Sequence, residues 1–326
     1  MSQIAILFDI VKASVKSVAP AFTVKQKFPS RSRISAFTAT LTNTLLRESV
    51  NKPINWMRAR QNALKLVSRD MSKVTFSKES IAGLACVVCK PVALDVQSTL
   101  IYFHGGGYAV GTAAGYKATI ATLSVAAQAK VIAVDYRRAP EFTFPTANDD
   151  CLEVTREVLR DERLPVFLAG DSAGGALALD MLTQLKNSSG YADAFAKVKA
   201  CALISPWVDP TFEWEEELAV GDDILSPAVL SYWAGSYLLE ADKKNARVNF
   251  ANAQLDGFPD MYIQAAGAEI FLKQILDFDQ HARASGVNVK LDVFPDQFHV
   301  FQTFGIFAPE SRAALQKIGA YFLSKV

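Results

Sequence analysis

LPVFLAGDSAGGALALDML, running from Leu164 to Leu182, decides the fold. Val166 to Ala169 is an unbroken apolar run, which suits a strand buried on both faces. Gly170-Asp171-Ser172-Ala173-Gly174 follows, and a helical pattern of small and apolar residues begins at once. A buried strand that turns directly into a helix, with G-x-S-x-G at the turn, is the setting of a nucleophile elbow. Such a turn is strained. Side chains at Gly170 and Gly174 would collide with the neighbouring helix and strand, so both positions call for glycine. Ser172 is then held at the end of the sheet with its hydroxyl presented for reaction. The plain alternative is a glycine-rich turn with no chemistry.

Working outward, short apolar runs alternate with helical stretches. VTFSKES and ACVVCKPV read as an antiparallel pair. STLIYF, AKVIAVDY, LPVFLAG, KACALIS, MYIQAAG and NVKLDVF follow, with helical patterns near residues 116–128, 147–161, 174–187, 270–285 and 309–325. Such alternation predicts an α/β fold with a mostly parallel central sheet of about eight strands flanked by helices. One gap, from Ile204 to Met261, is longer than a parallel crossover needs. Its middle, SPAVLSYWAGSYLLE, reads as a helix with Pro227 in its first turn. We expect a cap insertion at about 208–250, over the strand ends where open α/β sheets bind ligands. Residues 1–72 read as a helical cap region, and 73–326 as the catalytic domain. Within the former, INWMRARQNALKLVSR reads as an amphipathic helix packed on a core, with a membrane-surface role as the sharper alternative.

A second glycine motif, His104-Gly105-Gly106-Gly107, follows the run STLIYF. Consecutive glycines let backbone N–H groups point into a site unobstructed. If Ser172 attacks an acyl carbonyl, the oxyanion needs such donors, each of which can lower the barrier by about 3 kcal/mol. Gly106, Gly107 and Ala173 are the expected donors, with Gly105 shaping the turn of this oxyanion hole. A phosphate-binding loop is disfavoured, because neither a following Lys-Ser/Thr nor a G-x-G-x-x-G spacing is present.

A nucleophilic serine needs a base, and the chain has three histidines. His104 is expected to brace the glycine loop. His281 lies inside a helical pattern. His299 follows the last predicted strand and fits the order serine, acid, histidine. The acid should sit just after MYIQAAGA, where Glu269 stands at a helix start. Asp277 and Asp279 lie about two turns further on, and Asp296 shares the loop of His299. Asp171 reads as a loop brace, and Asp135, Arg137, Asp149 and Asp150 as structural groups. Tyr108, Trp207 and Phe212 are candidates to line the substrate pocket, each with core packing as an equal alternative.

From about Ser98 to the C-terminus the chain resembles the hormone-sensitive-lipase-like esterases, the bacterial family IV branch. The resemblance rests on HGGG at His104–Gly107, DYRRAPEFTFPTANDD at Asp135–Asp150, GDSAGG at Gly170–Gly175 and SPWVD at Ser205–Asp209. It implies an α/β-hydrolase fold and a Ser172–His299–Glu269 triad acting on short- to medium-chain acyl esters, with no cofactor and no metal. The chain departs from the commoner Asp-Pro-Leu pattern in having Glu269-Ile270-Phe271, a variant that accompanies His-Val-Phe, here His299–Phe301. An amide, thioester or lactone hydrolase would use the same machinery. A small-ligand receptor on this fold is a more distant reading, since receptors of this kind have lost the histidine.

The bulk properties agree with an enzyme of small esters. Half of the 326 residues are hydrophobic and the net charge is +1, which offers no attraction to nucleic acid or to an acidic membrane surface. No stretch approaches the roughly 20 apolar residues of a membrane span, and Asp9 cuts short any signal-like run. A cytoplasmic protein without stable membrane insertion is the expectation. Cys86 and Cys89 form a C-x-x-C, but residues three apart on a strand face opposite sides, and no second pair completes a metal site. The last strand, NVKLDVF, offers an edge through which two copies would pair as a homodimer.

Overall fold

The computed structural model describes residues 3–50, 52–64, 66–211 and 224–326. Eight strands form one sheet: β1 (Val74–Ile81), β2 (Leu84–Pro91), β3 (Ser98–Phe103), β4 (Ala129–Val134), β5 (Val166–Asp171), β6 (Val198–Ile204), β7 (Asp260–Ala266) and β8 (Val289–Phe294). Their order is β1-β2-β4-β3-β5-β6-β7-β8. The pairs β1–β2 and β2–β4 are antiparallel, and every later pairing is parallel. The expected sheet is therefore present, and β8 is an edge.

The central strands are buried on both faces, so their runs carry no polar alternation. Alternate residues nonetheless serve different layers. Leu100 and Tyr102 of β3 pack with Ile120 and Leu123 of α4 (Lys117–Ala127) and with Leu315, Ile318 and Phe322 of α10 (Pro309–Leu323). Ile101 and Phe103 face Val154 and Val158 of α5 (Thr146–Asp161), Leu177 and Met181 of α6 (Ala173–Asn187), and Phe278 of α9 (Leu272–Ala284). Phe167 of β5 stacks on Phe322, ring centroids 4.4 Å apart. Truncating a buried aromatic of this kind costs about 3–5 kcal/mol. Cys86 and Cys89 fall into these two opposite layers, and burial pushes both thiols up to about 12, which keeps them protonated.

Three helices precede the sheet: α1 (Gln3–Lys27), α2 (Arg33–Arg47) and α3 (Ile54–Ala63). Ser32 caps α2, its hydroxyl accepting from the Ser35 N–H at 3.0 Å. The chain just before α2 is clipped to the last third of the molecule. Ser30 N–H donates to Asp296 Oδ2 at 2.7 Å, buried Arg31 donates to the Asp296 carbonyl, and Ser32 N–H donates to Glu310 Oε1 at 2.8 Å. The helix expected from Ile54 through Arg69 is shorter than its periodicity suggested. It stops at Ala63, and the chain beyond is drawn into other bonding: the Val67 carbonyl accepts from Ile306 N–H at 2.9 Å, and Ser68 caps a 3-10 turn over Arg69–Lys73. Between β6 and β7 lie α8 (Pro227–Tyr237), capped by Ser226 with Pro227 in its first turn, and a 3-10 turn at Glu240–Lys244. A short α7 (Ala192–Lys197) completes the helices named here.

Candidate active site

β5 ends at Asp171 and α6 starts at Ala173, so Ser172 alone makes the turn, with φ 52° and ψ −120°. A non-glycine residue there is strained, a condition that persists only where its surroundings hold it. Here the Ser172 N–H donates to the Ile204 carbonyl at 2.9 Å, and its own carbonyl accepts from Trp207 N–H at 3.0 Å. The flanking glycines provide room. A Cβ on Gly170 would lie 2.1 Å from the Gly174 carbonyl oxygen, and one on Gly174 2.0 Å from that of Phe103. The serine is 5% exposed and opens onto a cavity rather than onto bulk water.

His299 Nε2 lies 3.0 Å from Ser172 Oγ, and its Nδ1 2.6 Å from Glu269 Oε2. The carboxylate can only accept, so Nδ1 carries the proton and Nε2 offers its lone pair to the serine hydroxyl. Glu269 is fixed by its other oxygen, which accepts from Ala266 N–H at 2.8 Å. The Phe271 ring stands edge-on to the imidazole at 4.9 Å and restricts its rotation. The other acids are engaged elsewhere: Asp277 with Lys273, Asp279 with Arg283, and Asp296 with Ser30. His281 Nε2 bonds the Ala253 carbonyl.

The two glycine turns meet at Asp171. One carboxylate oxygen accepts from Tyr102 OH at 2.7 Å and from Gly105 N–H at 3.0 Å, and the other from Tyr116 OH at 2.8 Å. Burial pushes this carboxyl up to about 6, against those three donors. Gly106 and Gly107 adopt φ +112° and +57°, which glycine enters without steric cost. Among the described residues no acceptor takes the N–H of either, and Ala173 opens α6, where helix geometry leaves the first amides free. His104 lies beneath, stacked on Tyr136 at 4.2 Å, its Nδ1 donating to the Gly105 carbonyl at 2.8 Å. Burial holds its pKa down to about 4, so it is a neutral brace.

A cavity of about 200 Å³ opens over Ser172, with Gly106, Asp171 and His299 also on its wall. Leu45 and Leu46 of α2, Met57 and Arg60 of α3, and Leu225 and Trp233 of the insertion complete much of it. None of these six was singled out by sequence. The only available signal was that both segments read as amphipathic or apolar helices. Tyr108 and Trp207 are buried beside the site instead of lining this cavity. Tyr108 stacks on Tyr237 at 3.8 Å, and Trp207 on Phe271 at 5.7 Å. Phe212 lies outside the described residues. Asp150 pairs with Arg137 and Asp149 with Arg247, and Asp135 accepts from Ala113 N–H, all as braces.

Residues 100–303 match the family model described as the alpha/beta hydrolase fold, and the chain belongs to that family. Within it, the chain is a hormone-sensitive-lipase-like serine carboxylesterase. An acetyl-hydrolase of Streptomyces hygroscopicus is 34% identical over 68% of this chain and 74% of its own. An esterase of Acinetobacter venetianus is 27% identical over 87% of this chain and 95% of its own. A solved hormone-sensitive lipase from a metagenome library superposes with a TM-score of 0.80 at 27% identity, covering 88% of this chain and 97% of its own.

Proposed function

We propose that Ser172, His299 and Glu269 hydrolyse short- to medium-chain acyl esters through an acyl-enzyme. The observation that carries this is the unbroken relay from Ser172 Oγ to His299 Nε2 at 3.0 Å and from His299 Nδ1 to Glu269 Oε2 at 2.6 Å. Ser172 Oγ attacks the ester carbonyl carbon while its proton passes to His299 Nε2. Glu269 orients the imidazole and stabilises its cation. The N–H groups of Gly106, Gly107 and Ala173 receive the oxyanion. His299 then protonates the leaving alcohol, and the same nitrogen draws a proton from water to release the acid.

The cavity supports the size limit. About 200 Å³ is below the roughly 300–1,000 Å³ typical of drug-sized ligand sites, so the volume favours a short acyl chain over a long one. The name of the Streptomyces relative points the same way. The test is hydrolysis of p-nitrophenyl esters of rising acyl length, with Ser172→Ala as control. Turnover that peaks at short chains and falls at least about 10⁴-fold in the variant is expected. A variant near wild-type rates would remove Ser172 from the chemistry. A peak at long chains would overturn the size limit alone.

A further inference from the structure

The whole-chain balance of charge hides a division. Residues 1–73 contain thirteen lysines and arginines against three acids, a net charge of +10. The remaining residues contain 21 against 30, a net charge of −9. The same N-terminal lobe carries most of the exposed apolar surface. Ten large apolar residues among those described are more than half exposed, and six of them lie on α1: Leu7, Phe8, Val11, Val15, Val18 and Phe22. From Phe8 the spacing is three, four, three, four, so the side chains form one stripe along the helix. A different face of α1, with Ile6, Ala13, Ser17 and Ala21, is the buried one. The stripe is thus surplus to packing. Contiguous exposed apolar surface of this extent marks an interaction site rather than ordinary scatter.

The charges beside the stripe select the occupant. Lys12 lies one turn from Lys16, which pairs with Glu48 at the end of α2. Arg47 and Lys52 flank that end and, like Lys12, are exposed and form no ion pair among the described residues. A second copy docking through α1 about a two-fold axis would bring two lobes of charge +10 together, which like-charge repulsion opposes. An anionic lipid surface complements both the apolar stripe and its basic margin. We infer that α1 lies in the headgroup layer of an anionic lipid surface, with the apolar stripe inward and the lysines toward the phosphates. No helix among the described residues is long and apolar enough to cross a membrane, so this is attachment in the plane. It places an esterase beside a reservoir of acyl esters, since α2 and α3 wall the cavity. The attachment stands or falls independently of the catalytic assignment.

The test is co-sedimentation of the full chain with phosphatidylglycerol vesicles and with phosphatidylcholine vesicles, at low and high salt. Binding to phosphatidylglycerol is expected, at least about tenfold weaker on phosphatidylcholine and weakened by salt. The triple variant F8S/V15S/F22S should lose at least about tenfold in partitioning, and K12E/R47E should lose the preference for the anionic lipid. Unchanged circular dichroism and melting temperature would establish that the variants fold. Absence of vesicle binding, or binding indifferent to the triple substitution, overturns the inference. So does light scattering that shows a dimer which the triple variant dissolves, because the stripe would then cover a second copy.

Discussion

The two glycine turns of the site use the same residue in different ways. In the loop His104–Gly107, glycine itself takes the left-handed backbone, at Gly106 and Gly107. In the turn Gly170–Gly174 the left-handed residue is Ser172, which is not a glycine, while the glycines on either side have ordinary backbones and no space for a Cβ. The first loop needs conformation and clearance together, since a Cβ on Gly106 would also lie 2.4 Å from the Val110 carbonyl oxygen; the second needs clearance alone. Clearance against backbone cannot be relieved by a rotamer change, so Gly174, which faces the Phe103 carbonyl, should be less tolerant of substitution than Gly107, which faces the Trp233 side chain.

The largest effect should come from Gly174→Ala, whose Cβ meets main chain of β3 at 2.0 Å. Loss of folded protein is expected, or a destabilisation beyond about 4 kcal/mol, read by denaturant unfolding. A soluble variant of wild-type stability would show that β3 can yield. Gly107→Ala should instead fold, because the Cβ would meet the Trp233 side chain at 2.4 Å, and α8 can shift where a central strand cannot. Its turnover of p-nitrophenyl acetate should drop about 10²–10³-fold, with a loss of stability smaller than that of Gly174→Ala, the strain of alanine at φ +57° included. Equal losses of stability in the two variants would erase the distinction. Asp171→Asn tests the joint between the turns. Its remaining oxygen can keep Tyr102 and Gly105, so the amide group meets Tyr116 OH, whose proton then loses its acceptor, at a cost of about 1–3 kcal/mol. The accompanying loss of activity should appear in kcat more than in KM, since the joint that aligns the Gly105 turn is weakened.

The smallest effect is a pH slope. His104 titrates near 4 when folded against an ordinary 6.5, so the unfolded chain takes up its proton first. The stability it confers is present above pH 6.5 and is lost as pH falls from there through 4. Asp171 runs the other way: its carboxyl titrates near 6 against an ordinary 3.8, so protonation across that interval relieves a buried charge. In the wild type the two nearly cancel. His104→Gln keeps a donor for the Gly105 carbonyl and removes the titration. Relative to the wild type, which shares the opposing slope of depressed carboxyls such as Glu162, its stability should therefore gain on acidification between pH 6.5 and 4, by on the order of 1 kcal/mol per pH unit. Parallel pH curves for variant and wild type would show that His104 is not the buried neutral group described.

These contrasts also explain what could be read in advance. The elbow, the glycine loop and the strand runs are local: composition over six to ten residues determines them, and β3 spans the predicted run STLIYF, Ser98–Phe103. Glu269 was legible because its place after β7 follows from strand order. The cavity wall was not, since Met57, Leu225 and Trp233 meet Ser172 only through packing of elements far apart in sequence. Tyr108 and Trp207 stand next to motif residues, yet that adjacency does not make a wall residue. Their rings turn into aromatic stacks with Tyr237 and Phe271. The early end of α3 had the same origin. Its periodicity ran on to Arg69, but a carbonyl at Val67 was claimed by the distant Ile306.

The clip before α2 has a mechanical consequence. Ser30 and Arg31 hold Asp296, three residues ahead of His299, and Ser32 holds Glu310 eleven residues beyond it. The histidine segment is thus pinned at both ends by the N-terminal lobe, like a string stretched between two pegs set in a separate board. A load applied to α1 has a short route to the imidazole, and a chain trimmed of its first helices would keep Ser172 while losing these three holds on the segment of His299.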